Sequence, residues 1–308
     1  MTRRIDILGH RGARALFPEN TLEGFLAVRG LGVEAFELDV GLTADGVVVV
    51  SHDPALNPDI VRDASGAWLT HRGPTIRSLT HAALRTYDVG RIRPGSRTAM
   101  LFPDQVPCDG ARIPTLAAVL AALPDTRFTI EIKTDPGHRD WTVPPRVLTE
   151  ATLAVIDAAD AVTRVIVESF DWRVQRHVRQ TRPDITLAWL TCAATVRDAA
   201  LWWDGIAAGA SVPASVAAEG GPVRTPAHWT PDHIGLTAAQ IQEAHALGLF
   251  VWAWTVNRTA DMRRLIGWGV DGLISDRPDL ALALLRERSP GATGSGGIDS
   301  TITRGVRP

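Results

Sequence analysis

Short apolar runs alternate with helical patterns along most of the chain, and this alternation restricts the possible folds more than any other feature. It predicts successive βα units, and hence a parallel sheet or an α/β barrel, which can hold 308 residues in one domain. Eight strands are expected, at Ile5–His10, Ala35–Val40, Arg127–Lys133, Val165–Phe170, Thr186–Leu190, roughly Val223–Trp229, Leu249–Val256 and Gly272–Ser275.

One further strand-like run does not fit the parallel pattern. Val47–His52 follows Ala35–Val40 after only a short turn at Asp45-Gly46. A crossover to a parallel strand needs about a dozen residues, so this pair should form an antiparallel hairpin that projects from the barrel.

The segment after this hairpin, from Ala55 to about Arg112, is rich in proline, glycine, arginine and aspartate. It is too long for a plain loop, so we expect a small inserted subdomain or a lid. The barrel domain should cover residues 1–288, with this insertion at about 55–112. The last residues, 289–308, are rich in glycine, serine and threonine, and we expect a disordered tail.

The first helix has a recognisable beginning in the sequence. Residues 20–23 offer an N-cap at Asn20 and a glutamate, Glu23, three residues later, which is the spacing of a capping box. Apolar residues then follow with a helical period until Gly30 and Gly32, which predict the end of the helix.

The overall charge gives no reason to expect a nucleic-acid partner or an anionic membrane partner, because the formal net charge is −2. We find no run of about 20 apolar residues that could span a membrane. The segment Met1–Leu8 lacks the apolar region of a signal peptide. We therefore expect a cytoplasmic protein, and the sequence leaves its oligomeric state open.

On each of two predicted strands, two charged side chains share one face. Glu37 and Asp39 share one face of the second strand, and Glu131 and Lys133 share one face of the third. The opposite faces are apolar and suit the helical layer, so these four groups should point into the barrel near its carboxyl-terminal mouth.

Burying four ionised groups is costly unless they are paired or bound to a metal. Salt bridges inside the barrel are the simpler alternative. A hard divalent cation fits three carboxylates better, and Mg²⁺ or Ca²⁺ is preferred over zinc because no thiolate is nearby. The presence of two such pairs at strand ends, one of them with the only lysine of the chain, Lys133, favours the metal site.

Two histidines end strands on the same side of the barrel. His10 ends the first strand and is followed by Arg11, and His52 ends the hairpin. Histidines can act as acid and base because their unperturbed pKa is near neutrality. Arginine offers a planar set of donors for phosphate oxygens. Together with a cation and a lysine, these residues indicate phosphodiester cleavage.

The chain resembles the glycerophosphodiester phosphodiesterases over about residues 5 to 285. The matching segments, in the order that the family has them, are His10-Arg11-Gly12, Pro18-Glu19-Asn20-Thr21, Glu37-Leu38-Asp39-Val40, Thr43-Ala44-Asp45-Gly46, Val50-Ser51-His52-Asp53, Arg112-Ile113-Pro114-Thr115-Leu116, Glu131-Ile132-Lys133, Glu168-Ser169-Phe170-Asp171, Trp254-Thr255-Val256-Asn257 and Gly269-Val270-Asp271-Gly272. As a set, these segments are highly specific.

The resemblance implies a TIM barrel with an insertion after the hairpin of the second strand. It also implies metal-dependent hydrolysis of a small glycerophosphodiester to sn-glycerol 3-phosphate and an alcohol. The implied roles are metal binding by Glu37, Asp39 and Glu131, acid–base catalysis by His10 and His52, phosphate contact by Arg11 and Lys133, and lining of the pocket by Trp254. In the wider superfamily the glycerol 2-hydroxyl attacks phosphorus and gives a cyclic phosphate, which implies His10 as the base and His52 as the acid.

Two other functions remain open at this point. A phospholipase D acting on lysolipids or sphingolipids uses a similar barrel, and the tryptophans of Leu201-Trp202-Trp203 could supply the apolar rim that a lipid surface needs. An inactive barrel that keeps only a phosphate site is the second alternative. The complete set of two histidines and three carboxylates argues against it.

Overall fold

The computed structural model describes residues 4–205, 211–220 and 227–288. Its nine strands, in chain order, are β1 (Asp6–His10), β2 (Ala35–Leu42), β3 (Val48–Val50), β4 (Arg127–Ile132), β5 (Val165–Ser169), β6 (Thr186–Thr191), β7 (His228–Pro231), β8 (Phe250–Ala253) and β9 (Gly272–Ser275).

Eight of these strands form a closed parallel barrel in the order β1-β2-β4-β5-β6-β7-β8-β9, and β1 pairs with both β2 and β9 to complete the closure. This confirms the predicted (β/α)8 fold. The strand β3 lies outside the barrel and pairs antiparallel with the end of β2, with Val40 opposite Val50, as the short turn predicted.

Helices lie between the strands and, in two cases, within the inserted segment. They are α1 (Leu22–Gly30), α2 (His81–Leu84), α3 (Arg97–Leu101), α4 (Leu116–Ala122), α5 (Pro145–Ala158), α6 (Arg173–Thr181), α7 (Ala193–Arg197), α8 (Ala199–Trp202), α9 (Val212–Gly220), α10 (Ala238–Ala246), α11 (Thr259–Trp268) and α12 (Pro278–Arg288), with 3₁₀ turns at Ile76–Ser78 and Val162–Arg164.

The beginning of α1 differs from the prediction by one residue. Thr21, not Asn20, is the N-cap, because its side chain accepts a hydrogen bond from the Gly24 amide. Asn20 has a positive φ of 54° and its side-chain amide donates instead to Asp39 at 2.9 Å. The residue expected to start the helix therefore supports the barrel mouth.

Two apolar layers hold the barrel together. Outside the strands, the rings of Phe25, Phe36 and Phe128 pack with centroids 5.3–6.2 Å apart and join α1 to β2 and β4. Inside the barrel, a separate cluster contains Leu8, Ala35, Trp252 and Ile274. Because alternate residues of a strand face opposite sides, each barrel strand contributes to both layers.

The inserted segment contains an apolar cluster of its own, which includes Leu56, Val61, Leu84 and Val89. Val49 of β3 belongs to the same cluster. The hairpin therefore anchors the insertion, and we propose that residues of about 55–112 form a subdomain packed on the hairpin.

Some of the predicted boundaries lie partly or wholly outside the described residues. The strand predicted from roughly Val223 begins at His228, and 221–226 are not described. The strand predicted over Leu249–Val256 is shorter and covers Phe250–Ala253. The predicted tail, 289–308, also lies outside the described residues. Within the described ranges, no helix has the length and apolarity needed to cross a bilayer.

Candidate active site

The register of three neighbouring strands brings the predicted acidic residues together at the carboxyl end of the barrel. Asp39 of β2 lies opposite Glu131 of β4, and His10 of β1 lies opposite Glu37. All four side chains belong to buried residues. Carboxylate oxygens of Glu37, Asp39 and Glu131 all lie within 4.8 Å of one another.

This concentration of negative charge perturbs the pKa values of the three carboxyl groups. Burial and the neighbouring charges of Asp39, Glu168 and Glu131 raise the pKa of Glu37 well above its usual range. Burial raises the pKa of Glu131 to about 7, against the opposing effect of Lys133. Burial would also raise the pKa of Asp39, but the positive charges of Lys133, His52 and Arg11 lower it below its usual range.

The three carboxylates fit a hard divalent cation. Their donor atoms are all oxygens, which Mg²⁺ and Ca²⁺ prefer. Asp39 Oδ1 is buried and accepts no hydrogen bond from a described residue, although Lys133 Nζ lies 3.4 Å away. A buried carboxylate oxygen without a hydrogen bond is costly, and a cation would stabilise it.

Two positive groups border the carboxylates. Lys133 Nζ donates to Glu131 Oε1 at 3.0 Å, and Arg11 Nη1 donates to Glu19 at 3.1 Å. The Arg11 guanidinium also approaches Asp39, with Nε 3.6 Å from Oδ2. Arg11 is buried and Lys133 is half-buried, and both lie at the strand ends beside the carboxylates.

The loop after β1 has an unusual backbone that directs Arg11 into the site. Arg11 has a φ of 52°, Gly12 a φ of 92° and Ala13 a φ of 120°. In this conformation the Arg11 amide donates to Glu37 Oε2 at 3.1 Å. Gly9 must lack a side chain, because a Cβ there would lie 2.7 Å from the Gly12 carbonyl oxygen. The His-Arg-Gly sequence thus fits a strained turn.

A carboxylate holds each of the two predicted histidines through Nδ1. His10 Nδ1 lies 2.6 Å from Asp276 Oδ1, and His52 Nδ1 lies 2.8 Å from Asp53 Oδ1. This assigns the proton to Nδ1 and leaves the lone pair of each ring on Nε2. His10 Nε2 is 3.8 Å from Glu37 Oε2, which places it beside the carboxylate cluster.

Both imidazoles favour the neutral form. Burial lowers the pKa of His10, although Asp276 partly offsets this effect. Burial and the charges of Arg11 and Lys133 lower the pKa of His52 to about 4.

Trp254 lies directly after β8, on the same side of the barrel. Its indole Nε1 donates to the Thr230 carbonyl oxygen at 2.9 Å, which fixes the ring. The ring packs edge-on against Phe170, with centroids 5.5 Å apart, and Lys133 Nζ lies 6.0 Å from the centre of the Phe170 ring. The rings of Trp254 and Phe170 thus form an aromatic wall beside Lys133.

The sequence analysis missed two acidic residues near the site. Asp276 accepts from Arg14 and Asn257 as well as contacting His10, and it follows β9 directly, a position that barrel enzymes often use. Glu168 lies opposite Glu131 in the register and is buried, with Oε2 unpaired among the described residues. Glu168 begins Glu168-Ser169-Phe170-Asp171, one of the segments that resemble the family, and this position could have indicated it as a site residue.

The barrel and its mouth define the class of protein as a hydrolase of phosphoric diesters. A family model for the glycerophosphoryl diester phosphodiesterase family matches residues 10–280. The chain belongs to this family.

Individual relatives agree with the family match. A glycerophosphodiester phosphodiesterase from Caldanaerobacter subterraneus is 27% identical over 91% of this chain and 98% of its own. A crystal structure from Silicibacter pomeroyi, provisionally described as a glycerophosphoryl diester phosphodiesterase, is 33% identical with a TM-score of 0.84, covering 94% of this chain and 95% of that one.

A third comparison shows the same fold at lower identity. A phosphodiesterase from Oleispira antarctica is 20% identical with a TM-score of 0.63, covering 91% of this chain and 96% of that one. The structure of that protein contains the product sn-glycerol-3-phosphate.

The carboxylate cluster leads to a prediction about metal binding and stability. We expect Ca²⁺ or Mg²⁺ to raise the thermal midpoint of the wild-type protein, because a ligand that binds only the folded state stabilises it. Glu37→Gln should lose most of this gain. The control Glu34→Gln, at an exposed residue paired with Arg4, should keep it. Differential scanning calorimetry with metal or chelator measures the shift. Equal shifts in both variants would contradict the ligand role of Glu37.

Proposed function

We propose that this chain hydrolyses glycerophosphodiesters to sn-glycerol 3-phosphate and an alcohol, with Mg²⁺ or Ca²⁺ held by Glu37, Asp39 and Glu131. The observation that supports this best is the convergence of this cluster with Arg11 and Lys133 at one barrel mouth. The bound product in the Oleispira protein, which shares the fold, is consistent with a site for this phosphate ester.

The positive side chains would bind the phosphodiester. Arg11 offers a fork of N–H donors for two phosphate oxygens, and Lys133 offers a compact charge for a third contact. The cation would lower the pKa of the attacking hydroxyl and neutralise charge on the phosphoryl oxygens. Trp254 would line the pocket, since its ring is fixed against Phe170 beside Lys133.

The two histidines would move protons during the reaction. We assign His10 as the base that removes the proton from the glycerol 2-hydroxyl, because its Nε2 faces the carboxylate cluster. The hydroxyl oxygen bonds to phosphorus, the bond to the leaving alcohol breaks, and His52 gives that alcohol a proton. Water then opens the cyclic phosphate while the two histidines exchange roles.

His52 must be protonated to act as the acid in the first step. Burial lowers its pKa most, and the positive charges of Arg11 and Lys133 lower it further. A bound phosphodiester anion would offset these two charges and raise the pKa of His52, which favours the protonated form that the first step requires.

The phospholipase D alternative used the tryptophans of Leu201-Trp202-Trp203 as an exposed apolar rim, and the structure exposes only part of that segment. Trp203 is fully buried and stacks on Trp172, with ring centroids 4.1 Å apart. The prediction that Trp203 could belong to such a rim is therefore wrong. Only Leu201 and Trp202 of that segment reach the surface.

The direct test is release of glycerol 3-phosphate from glycerophosphocholine, glycerophosphoethanolamine and related diesters, with Mg²⁺, Ca²⁺ or a chelator. We expect release that depends on metal. Headgroup loss from lysophosphatidylcholine or sphingomyelin, without hydrolysis of any diester, would transfer the assignment to the phospholipase D alternative. Metal binding without turnover of any substrate would favour the inactive scaffold.

Removing either histidine should reduce turnover without removing the cation site. His10→Ala and His52→Ala should each lower kcat by roughly 10²–10⁴, the usual contribution of a general acid or base. His71→Ala, at an exposed histidine of the insertion, should change kcat little. Calorimetric titration with Ca²⁺ should show similar affinity in all three variants. A loss below about tenfold would contradict the acid–base assignment of the histidine concerned.

Asp276 should act as a positioning residue for His10. Asp276→Asn keeps the shape but no longer stabilises the Nδ1-protonated ring, so kcat should fall by about 10²–10⁴ while KM changes little. The control is Asp279→Asn, which changes a half-buried carboxylate on α12 that pairs with Arg277. A change confined to KM, or to the thermal midpoint, would indicate a merely structural role.

A further inference from the structure

A second cavity lies at the opposite end of the barrel, away from the carboxylate cluster. Its volume is about 270 Å³. Its lining comes from the first residues of the strands, including Leu8, Ala35, Thr129, Ile166, His228 and Trp252. The interior of a TIM barrel is normally filled by layers of bulky side chains, so a cavity of this size requires an explanation.

Small side chains on the inner faces of the strands create this space. Ala35 and Thr129 stand where a TIM barrel usually has valine, isoleucine or leucine. The Trp252 ring packs closely against Gly272 of β9. A Cβ on Gly272 would be 2.5 Å from the Trp252 ring. Gly272 therefore allows the indole to form a wall of the cavity.

His228 supplies a buried polar group on a wall that also includes Thr129 and Thr163. It is only 9% exposed, and its ring packs against Phe250 and Trp252, with centroids 5.2 and 4.5 Å away. Nδ1 of this ring is buried and forms no hydrogen bond with a described residue. Burial lowers the pKa of His228 to about 4, so the imidazole is neutral at pH 7 and offers one donor and one acceptor.

The charged groups around the opening already have partners. Arg127 Nη2 donates to Asp6 at 2.7 Å. Arg164 donates to the carbonyl oxygens of Leu120, Leu123 and Thr126, in the last turn of α4 and the loop after it. Arg164 is therefore held by backbone carbonyls.

We propose that this cavity is a second binding site, for a small aromatic molecule that bears one hydroxyl or N–H group. The flat Trp252 and His228 rings match an aromatic ring, and His228 can hydrogen-bond the polar group. The volume is sufficient, since an apolar cavity of about 150 Å³ already binds benzene.

The probe for the test is phenol, titrated by ligand-observed NMR into the wild-type protein. We expect saturable binding that sn-glycerol 3-phosphate does not displace, because the two sites lie at opposite ends of the barrel.

Two variants separate the contributions of space and of hydrogen bonding. Ala35→Leu fills the cavity and should abolish binding of both phenol and toluene. His228→Phe keeps the ring but removes its nitrogens, so phenol should bind about tenfold more weakly while toluene is unaffected. Ile166→Phe provides a second filling variant if Ala35→Leu does not fold, as judged by circular dichroism.

Several results would overturn the proposal. Absence of saturable phenol binding would mean that the cavity holds water only. Phenol binding that survives both filling variants, or that is displaced by glycerol 3-phosphate, would place phenol elsewhere. None of these results depends on whether the chain hydrolyses glycerophosphodiesters.

Discussion

The mutual repulsion of three buried carboxylates is the constraint around which the barrel mouth is arranged. Glu37, Asp39 and Glu131 lie so close together that burial and repulsion raise the pKa of two of them. A protein can tolerate such a cluster if nearby cations or a metal ion compensate it. Lys133 and Arg11 provide part of this compensation, and they keep Asp39 ionised. The remainder of the negative charge is what makes the cluster suitable for a divalent cation.

The same balance of charge explains why the two histidines need carboxylates of their own. Each lies close to positive side chains and is at least half-buried, and both effects favour the neutral ring. Asp276 and Asp53 each fix one ring through Nδ1, which leaves the lone pair of the ring on Nε2. These two carboxylates therefore select a tautomer, whereas the cluster of three provides oxygen donors. Acidic residues thus have two distinct uses within one mouth.

The parts of the structure that the sequence could predict depend on local periodicity. Alternation of apolar residues placed Glu37 and Asp39 on one strand face, and the short turn at Asp45-Gly46 predicted the hairpin. The pairing of His10 with Asp276 joins residues 266 positions apart, so no local pattern indicates it. At Asn20, a local pattern was present but predicted the wrong contact. A good capping residue was expected to start α1, but its side chain bonds to Asp39, and Thr21 caps the helix.

The two ends of the barrel interior show why local sequence patterns do not predict cavities. Side-chain size on one strand says nothing about the size of the side chains that meet it across the barrel, because register and stagger decide which residues share a layer. At the carboxyl end, charged side chains occupy the interior. At the amino end, Ala35 lies near Trp252, whose ring packs closely against Gly272. The free space is therefore a property of several strands together, and only the closed barrel reveals it.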